Sequence, residues 1–458
     1  MTTPTRDIDE SAPRITGKRE LVERLARGGK PAADWRIGTE HEKFGFLKNG
    51  LLPLPYEGPA SVRALLEGLS ERFGWDPIRE DGRLIGLKKK SASISLEPGG
   101  QFELSGAPLE DVHATAQEIA DHLRETRTIA SGVGVEFLGL GFSPVWSLAD
   151  TPSMPKGRYG IMTAYMDRVG RLGRQMMYRS CTVQTNLDFA DEADMVKKLR
   201  VSLALQPIAT ALFANSPFAE GRTNGFLSYR SHVWTDTDPD RTGMLPFAFE
   251  DGFGFERYVD YALDVPMYFV RREGRYIDAS GLSFRDFMAG RLSVLPGERP
   301  ALDDFDDHLS TIFPEVRLKT FLEMRGADAG PEAFLSGLSA FWVGLLYDQS
   351  ALDDAWELVR DWTSEERQSL RSAAPVLGLR APIRNTTAHE VAREVVALAA
   401  AGLRRRSRLD SEGRDETRHL ECVMEVAGSG VTQAERLLRA YHGAWERDVR
   451  RVFEVALI

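Results

Sequence analysis

Four short stretches of this sequence place acids and cations at spacings that suit a metal-bound phosphate. In Ile37-Gly38-Thr39-Glu40-His41-Glu42-Lys43-Phe44, strand alternation puts Glu40 and Glu42 on one face. Two carboxylates side by side repel each other, and a fold tolerates that where a cation or a shared proton sits between them. In Ser95-Leu96-Glu97-Pro98-Gly99-Gly100-Gln101-Phe102-Glu103-Leu104 the Pro-Gly-Gly run is a turn signature. Glu97 and Glu103 then flank a tight reversal, with Leu96 and Phe102 pointing the other way. A third strand, Cys181 to Asp188, has a polar face of Thr182, Gln184, Asn186 and Asp188 and an opposite face of Cys181, Val183, Thr185 and Leu187. In the fourth, Phe321 to Asp328, Glu323 and Arg325 share a face, an acid beside a guanidinium that can clamp phosphate through two hydrogen bonds. Oxygen-rich sites of this kind suit magnesium. The chain has no Cys/His cluster with zinc spacing, no GxxxxGK[ST] loop and no GxGxxG fingerprint. ATP, if it binds, is therefore expected to bind through metal and scattered cations.

Periodicity alone leaves blander readings open. Glu40 and Glu42 also fit a solvent-facing strand face, Glu97 and Glu103 a pair of exposed turn acids, and Glu323 with Arg325 a surface ion pair of little worth. Alternation points His41 away from Glu40 and Glu42, so it is expected to be structural, as are His232 and His308. Arg404-Arg405-Arg406 is expected to be a solvated helix face, and Cys181 and Cys422 buried bystanders.

These residues need elements to hold them. Ile37–Phe46, Ser93–Leu96, Gln101–Leu104, Val135–Leu140 and Thr182–Phe189 have strand patterns, with helical patterns between them at Ser61–Phe73, Leu109–Ser131 and Met195–Ala214. The last of these is expected to bend at Pro207. From about residue 348 the pattern is helical, over Leu352–Val359, Ser364–Arg371, His389–Arg406 and Gln433–Trp445. Strands do not alternate regularly with helices, which argues for an α+β fold and against a doubly wound parallel sheet. The expected organisation is a polar lead-in over 1–34, with a short helix carrying Leu21, Val22 and Leu25, and then a single domain over 35–458 with a helical C-terminal part.

With 458 residues, 42% hydrophobic and 28% charged, the chain has the balance of a globular protein with a sizeable core. A net charge of −10 argues against general affinity for nucleic acid. Two cysteines rule out a disulfide scaffold and fit a reducing compartment. Met1 to Glu20 has no apolar core and too many acids for a secretory or transit segment. The uncharged stretch after Arg200 holds Gln206, Pro207 and Asn215, which suits a buried helix better than a membrane span. A soluble, cytoplasmic protein is expected.

The chain resembles the plant-type glutamate–cysteine ligases. The resemblance is carried by I-G-T-E-H-E-K-F-G-F (37–46), L-E-P-G-G-Q-F-E-L-S-G-A-P-L-E (96–110), P-K-G-R-Y-G-I-M (155–162), C-T-V-Q-T-N-L-D-F (181–189) and L-A-L-Q-P-I-A-T-A-L-F-A-N-S-P-F (203–218). R-S-H-V-W-T-D-T-D, D-R-T-G-M-L-P-F, D-Y-A-L-D-V-P-M-Y-F, F-R-D-F-M-A-G, I-F-P-E-V-R-L-K, L-E-M-R-G-A-D and F-W-V-G-L-L-Y-D follow in order up to Asp348. The resemblance implies an antiparallel sheet curved into a funnel and covered by helices, related to glutamine synthetase and the guanidino kinases. It implies ATP as co-substrate and roughly two to three magnesium ions on the sheet's carboxylates. ATP phosphorylates the γ-carboxylate of glutamate, and the amine of cysteine attacks the acyl phosphate. By resemblance, Glu40, Glu42, Glu97, Glu103 and Glu323 are metal ligands and Gln184 is a polar ligand. Arg325 stabilises the phosphoryl group, Arg230 and Arg241 hold carboxylate or phosphate, and Lys156 and Arg158 close a loop over substrate. The expected partners are small molecules, with no membrane, and the expected state is a monomer or weak homodimer.

The sequence departs from the family pattern at one pair of positions. Ala116 and Ser336 stand where a regulatory cysteine pair is expected, so a disulfide switch is not expected here. The rival readings are a ligase that joins glutamate to another amine, a non-catalytic sensor, which would have lost some of the acids, and a guanidino kinase.

Overall fold

A computed structural model of the chain describes residues 12–458. The N-terminal expectation, where it falls on residues 1–11, lies outside the described residues. The central strand is β1 (Ile37–Leu47), flanked in sequence by the short β2 (Leu52–Pro53). The chain then makes β3 (Asp76–Glu80), β4 (Arg83–Lys89), β5 (Ala92–Leu96), β6 (Phe102–Ser105), β7 (Val135–Leu138), β8 (Thr182–Leu187), β9 (Val316–Leu318) and β10 (Leu322–Asp328). These ten strands form one sheet in the order β9-β10-β8-β1-β6-β5-β4-β3, with β2 and β7 also pairing with the long β1. The pairings within it are all antiparallel. The expected antiparallel sheet covered by helices is the observed architecture.

The two faces of the sheet differ because the side chains alternate. On one face, Thr39 and Thr185 reach Ser339 at 2.7 and 3.2 Å, and Lys43 meets His122 at 2.7 Å. This face therefore rests on the helices Val112–Val133 and Glu332–Leu346, which carry His122 and Ser339. His41 lies on the same face, fully buried against His122 and away from the acids, as alternation expects. Asp111 starts the first of these helices by accepting the Ala114 N–H at 2.8 Å, and Gly134 ends it at φ 71°. The helix Glu192–Leu212 packs on β10 and runs through Pro207.

Helices Gln349–Val359, Ser364–Leu377, Ala388–Arg406, Glu421–Ser429 and Gln433–His442 make the C-terminal part. It packs on the helix Glu192–Leu212 and, most closely, on Glu332–Leu346, where Gly344 meets Gly402 of Ala388–Arg406. A Cβ at Gly402 would lie 2.0 Å from the Gly344 carbonyl oxygen, so these two helices approach to backbone contact. At the other end, Leu21 and Leu25 of the helix Lys18–Ala26 are fully buried, Arg24 pairs with Asp306, and Lys18 pairs with Glu256 and Asp260. The described part of the lead-in is thus docked on the main body.

Candidate active site

The opposite face of the sheet carries the acids. Register puts Glu42 beside Glu103 and Glu103 beside Ser95, while Glu40 lies between Ser105 and Gln184. Farther across, Asn186 stands beside Glu323, and Glu323 beside Arg317. Glu40, Glu42, Glu103 and Glu323 are all buried. That removes the open readings of an exposed strand face for Glu40 and Glu42 and of a surface ion pair for Glu323 and Arg325. The alternation already placed Glu40 and Glu42 together. What covers that face, residues from 156–158 and 230–234, is too remote in sequence for periodicity to reveal.

Glu97 is brought to the row by its turn. The Glu97 N–H donates to the Gln101 carbonyl at 3.0 Å and Gly100 N–H to the Glu97 carbonyl at 2.9 Å. Gly100 takes φ 84°, and a Cβ at Gly99 would sit 2.1 Å from the Tyr178 carbonyl oxygen, so both glycines are required. Glu97 Oε1 is buried with no hydrogen-bond partner. Burial, together with Glu97 and Glu103, pushes the Glu42 carboxyl up to about 8. Burial and Glu103 likewise raise Glu97. Three acids that cannot all ionise comfortably without a counter-charge form a donor set that fits a hard cation. Among the described residues no three acid, histidine or cysteine side chains converge into a ready-made cage. Magnesium does not require one, because waters and substrate phosphates complete its shell.

Glu323 differs from the other acids. Arg317 grips it with Nε at 2.5 Å and Nη2 at 2.8 Å, and Arg325 Nη1 adds a third bond at 3.0 Å. Although burial opposes ionisation, Arg317, Lys319 and Arg325 hold its carboxyl well below the usual range. Arg325 Nη1 also donates to Gln184 Oε1 at 2.7 Å, leaving Arg325 Nη2 and Gln184 Nε2 buried without partners. Arg230 donates Nη2 to the Arg325 carbonyl at 2.9 Å, while its Nε and Nη1 are buried and unpartnered. Unsatisfied buried guanidinium donors are costly, and their chemistry suits an anion. Arg230 and Arg325 open into one cavity with Trp234, Phe313 and the ion pair of Glu315 with Arg371 at 2.6 Å.

At the far end of the sheet, Lys156 donates to Ser95 Oγ at 2.8 Å and to the Leu96 carbonyl at 2.9 Å. Burial, with Arg158 beside it, lowers its ammonium to about 7. Arg158 has an unpartnered buried Nε and shares a second cavity with Lys156, Tyr276, Ile78, Ile85 and Ile94. The described face is therefore acidic in the middle and cationic at both ends.

Arg241 stands apart from this arrangement. Its Nε pairs with Asp238, its Nη1 and Nη2 donate to the Thr311 and Pro266 carbonyls at 3.0 and 2.7 Å, and it lies 3.8 Å above the Tyr268 ring. The structure brings together the other ten candidates and leaves Arg241 tied to the 238–268 cluster. Residues not singled out from sequence include Arg317, Lys319, Ser95, Asp328 and Trp234. Alternation in Val316-Arg317-Leu318-Lys319 could have flagged the first two, since both cations fall on one face. Asp328 anchors the loop before Arg230 by accepting from the Asn215 N–H, Ser216 Oγ and Ser228 Oγ at 2.8, 2.6 and 2.8 Å.

The family model described as glutamate-cysteine ligase family 2 matches residues 36–455. A chloroplastic glutamate–cysteine ligase of Medicago truncatula is 56% identical over 454 residues, covering 99% of this chain and 87% of that protein. Its Nicotiana tabacum counterpart is 57% identical, with 99% and 85% covered. Among solved structures, a glutamate–cysteine ligase from Francisella tularensis in complex with AMP superposes with a TM-score of 0.56 at 12% identity, over 93% of this chain and 88% of that one. At that identity the likeness concerns the fold. The acid row, its flanking cations and the full-length match converge: the chain belongs to glutamate–cysteine ligase family 2, whose reaction is the first step of glutathione biosynthesis.

Proposed function

We propose that the acid row is the magnesium site of this ligase, and that the chain joins the γ-carboxylate of glutamate to the amine of cysteine through a γ-glutamyl phosphate made from ATP. The observation that carries this reading is the gathering of the buried Glu42 and Glu103 with the half-buried Glu97, whose Oε1 is enclosed without a partner, next to guanidinium donors that have no protein partner. Glu40, Glu42, Glu97 and Glu103 would hold magnesium, with Gln184 supplying a polar ligand beside them. Glu323, expected from the resemblance to be a fifth metal ligand, has both carboxylate oxygens taken by Arg317 and Arg325, so it is assigned instead to keep an ionised carboxylate in the row while orienting Arg325. Magnesium there neutralises charge on the transferring phosphoryl group and keeps it in line with its acceptor. Arg325 and Arg230 aim their spare N–H groups at the anion, where charge develops during transfer. Lys156 and Arg158 bind anionic substrate groups from the other end, Lys156 fixed by Ser95 and the Leu96 carbonyl. Arg241, with its donors engaged, buttresses the segment behind the site and does not touch substrate.

Both cysteines are free thiols, which supports a reducing compartment. We assign the cytoplasm, although the curated relatives are chloroplastic. Among the described residues no helix is long and apolar enough to cross a membrane. The net charge of −10 supports small-molecule partners without nucleic acid, and a monomer or weak homodimer.

The test is ATP consumption by the purified protein with magnesium and glutamate, with and without cysteine, the product being identified by mass spectrometry. γ-Glutamylcysteine formed in step with ADP is the expected result. ADP release that needs a different amine would keep the acyl-phosphate chemistry and overturn the acceptor. Removal of magnesium with a chelator should stop turnover, and re-addition should restore it.

A further inference from the structure

We propose that Arg317 is a positioning residue that aims the phosphoryl-binding guanidinium of Arg325 by clamping Glu323 between the two arginines. The proposal rests on the reading of Arg325 given above. Arg317 sits on β9 directly across from Glu323 on β10, and neither is exposed to solvent. Its Nε and Nη2 take both oxygens of Glu323, and its Nη1 donates to the Ser310 and Ile312 carbonyls at 2.8 and 3.0 Å. All three nitrogens are thereby engaged, so Arg317 has nothing left to offer a ligand and acts through Glu323.

Glu323 in turn has one fixed geometry. Its Oε1 accepts from both Arg317 Nη2 and Arg325 Nη1, and that same Arg325 Nη1 is held by Gln184 Oε1. Two contacts fix the plane of the Arg325 guanidinium and leave Nη2 buried and unpartnered, lining the cavity that Arg230 also lines. A planar fork held this way is pre-organised for an oxyanion, and misplacement by about 1 Å is enough to cost about 100-fold in rate. The charge arrangement has the same sense. Lys319 stands 3.8 Å from Glu323, so three cations surround one acid. This end of the row keeps a positive excess for an anion even after the Glu323 ion pairs form. A pair kept only for stability would not need the third group, since an apolar pair of similar volume often serves a fold equally well.

The test is a double-mutant cycle on kcat with Arg317→Gln and Glu323→Gln, with Arg325→Gln as reference. Arg317→Gln should lower kcat by about 10- to 100-fold, with KM for glutamate and cysteine changed less than about threefold. In the Glu323→Gln background, removing Arg317 should cost little more, because the route through Glu323 is already broken. Effects that multiply independently, or a kcat that follows the melting temperature alone, would overturn the proposal. Should Arg317→Gln not fold, Arg317→Lys keeps the charge but loses the two-point grip. That variant should melt near the wild-type temperature and still have low kcat, and a wild-type kcat in it would also overturn the proposal. If Arg325→Gln itself turns over normally, the reading of Arg325 fails. If Arg325→Gln is slow and Arg317→Gln is not, only the relay through Arg317 fails.

Discussion

Glu42 accepts a hydrogen bond from the Thr182 N–H at 2.9 Å and lies among other acids. Burial and the neighbouring Glu97 and Glu103 carry its carboxyl up to about 8, so the metal-free folded protein holds a proton there that the unfolded chain gives up near pH 4.5. Where the native state binds more protons than the unfolded state, stability falls as pH rises. The Glu42 contribution to stability should therefore fall between about pH 5 and 8, read as the difference in melting temperature between the metal-free wild type and Glu42→Gln. The comparison is needed because His41, His122, His308 and His419, lowered by burial, act in the opposite sense in both proteins. Saturating magnesium should flatten that slope, because metal ligands bind as the deprotonated form. Thermal melts with and without magnesium across that range measure this directly, and a slope unchanged in Glu42→Gln would remove Glu42 as its source. Glu97 supplies a second test at the same scale. Its Oε1 has no partner to lose, so Glu97→Ala should leave the circular dichroism spectrum intact while lowering turnover by about 100-fold or more.

The strand elements show which parts of this site the sequence reveals and where alternation stops being a guide. Strict period two puts Glu323, Arg325 and Ala327 on one face of β10. In the structure the register against β8 shifts between Met324 and Ala327, so that Met324 faces Thr185 and Ala327 faces Val183. The irregularity holds Arg325 and Gly326, keeps Arg325 beside Gln184, and returns Ala327 to the helix-packed face. A glycine inside a strand signals a bulge or a close backbone approach, and here it marks both. A Cβ at Gly326 would fall 2.4 Å from Gln206 Nε2, and Thr210 Oγ1 donates to the Gly326 carbonyl at 3.1 Å. Gly326→Ala should cost about 1–3 kcal/mol in a denaturant melt, as overpacked cores do. It should also lower kcat more than KM, since Arg325 is the adjacent residue. The acids of β1 and the turn at Glu97 were legible because each depends on a local rule, alternation or a Pro-Gly-Gly reversal. The cross-strand Arg317–Glu323 clamp and the docking of Arg230 through Asp328 depend on which strands are neighbours. For the docking of Arg230 no local spacing carries that information, whereas the clamp lies within one hairpin whose reversal, Lys319-Thr320-Phe321, has no Gly or Pro to signal it.

At the scale of the whole molecule, the sheet's two faces divide the work between the acid row and the helical layer, and the helical layer is where oxidation would have to act. Ala116 and Ser336 line one surface cleft between the helices Val112–Val133, Glu332–Leu346 and Glu421–Ser429, and Cys422 lines it too. No second sulfur accompanies Cys422 there, because the other cysteine, Cys181, is fully buried beside Glu42 and Lys43. Burial pushes the Cys422 thiol up to about 12 and raises Cys181 well above its ordinary value, so neither forms much thiolate, the species that attacks a disulfide. Cys422, half-buried where a buried bystander was expected, also directs its sulfur to the Ala333 carbonyl at 3.2 Å. A cross-link between copies would have to bring two such unreactive thiols together on molecules of net charge −10, which repel each other at low salt. Oxidised glutathione should therefore change neither kcat nor the sedimentation coefficient, and non-reducing gels should show a single monomer band. Titration with a disulfide reagent should be slow for the native protein and should count two thiols once it is unfolded. A kcat that rises or falls several-fold on oxidation, reversibly with dithiothreitol, would place a redox switch at Cys422 and refute the reading of this cleft as redox-silent.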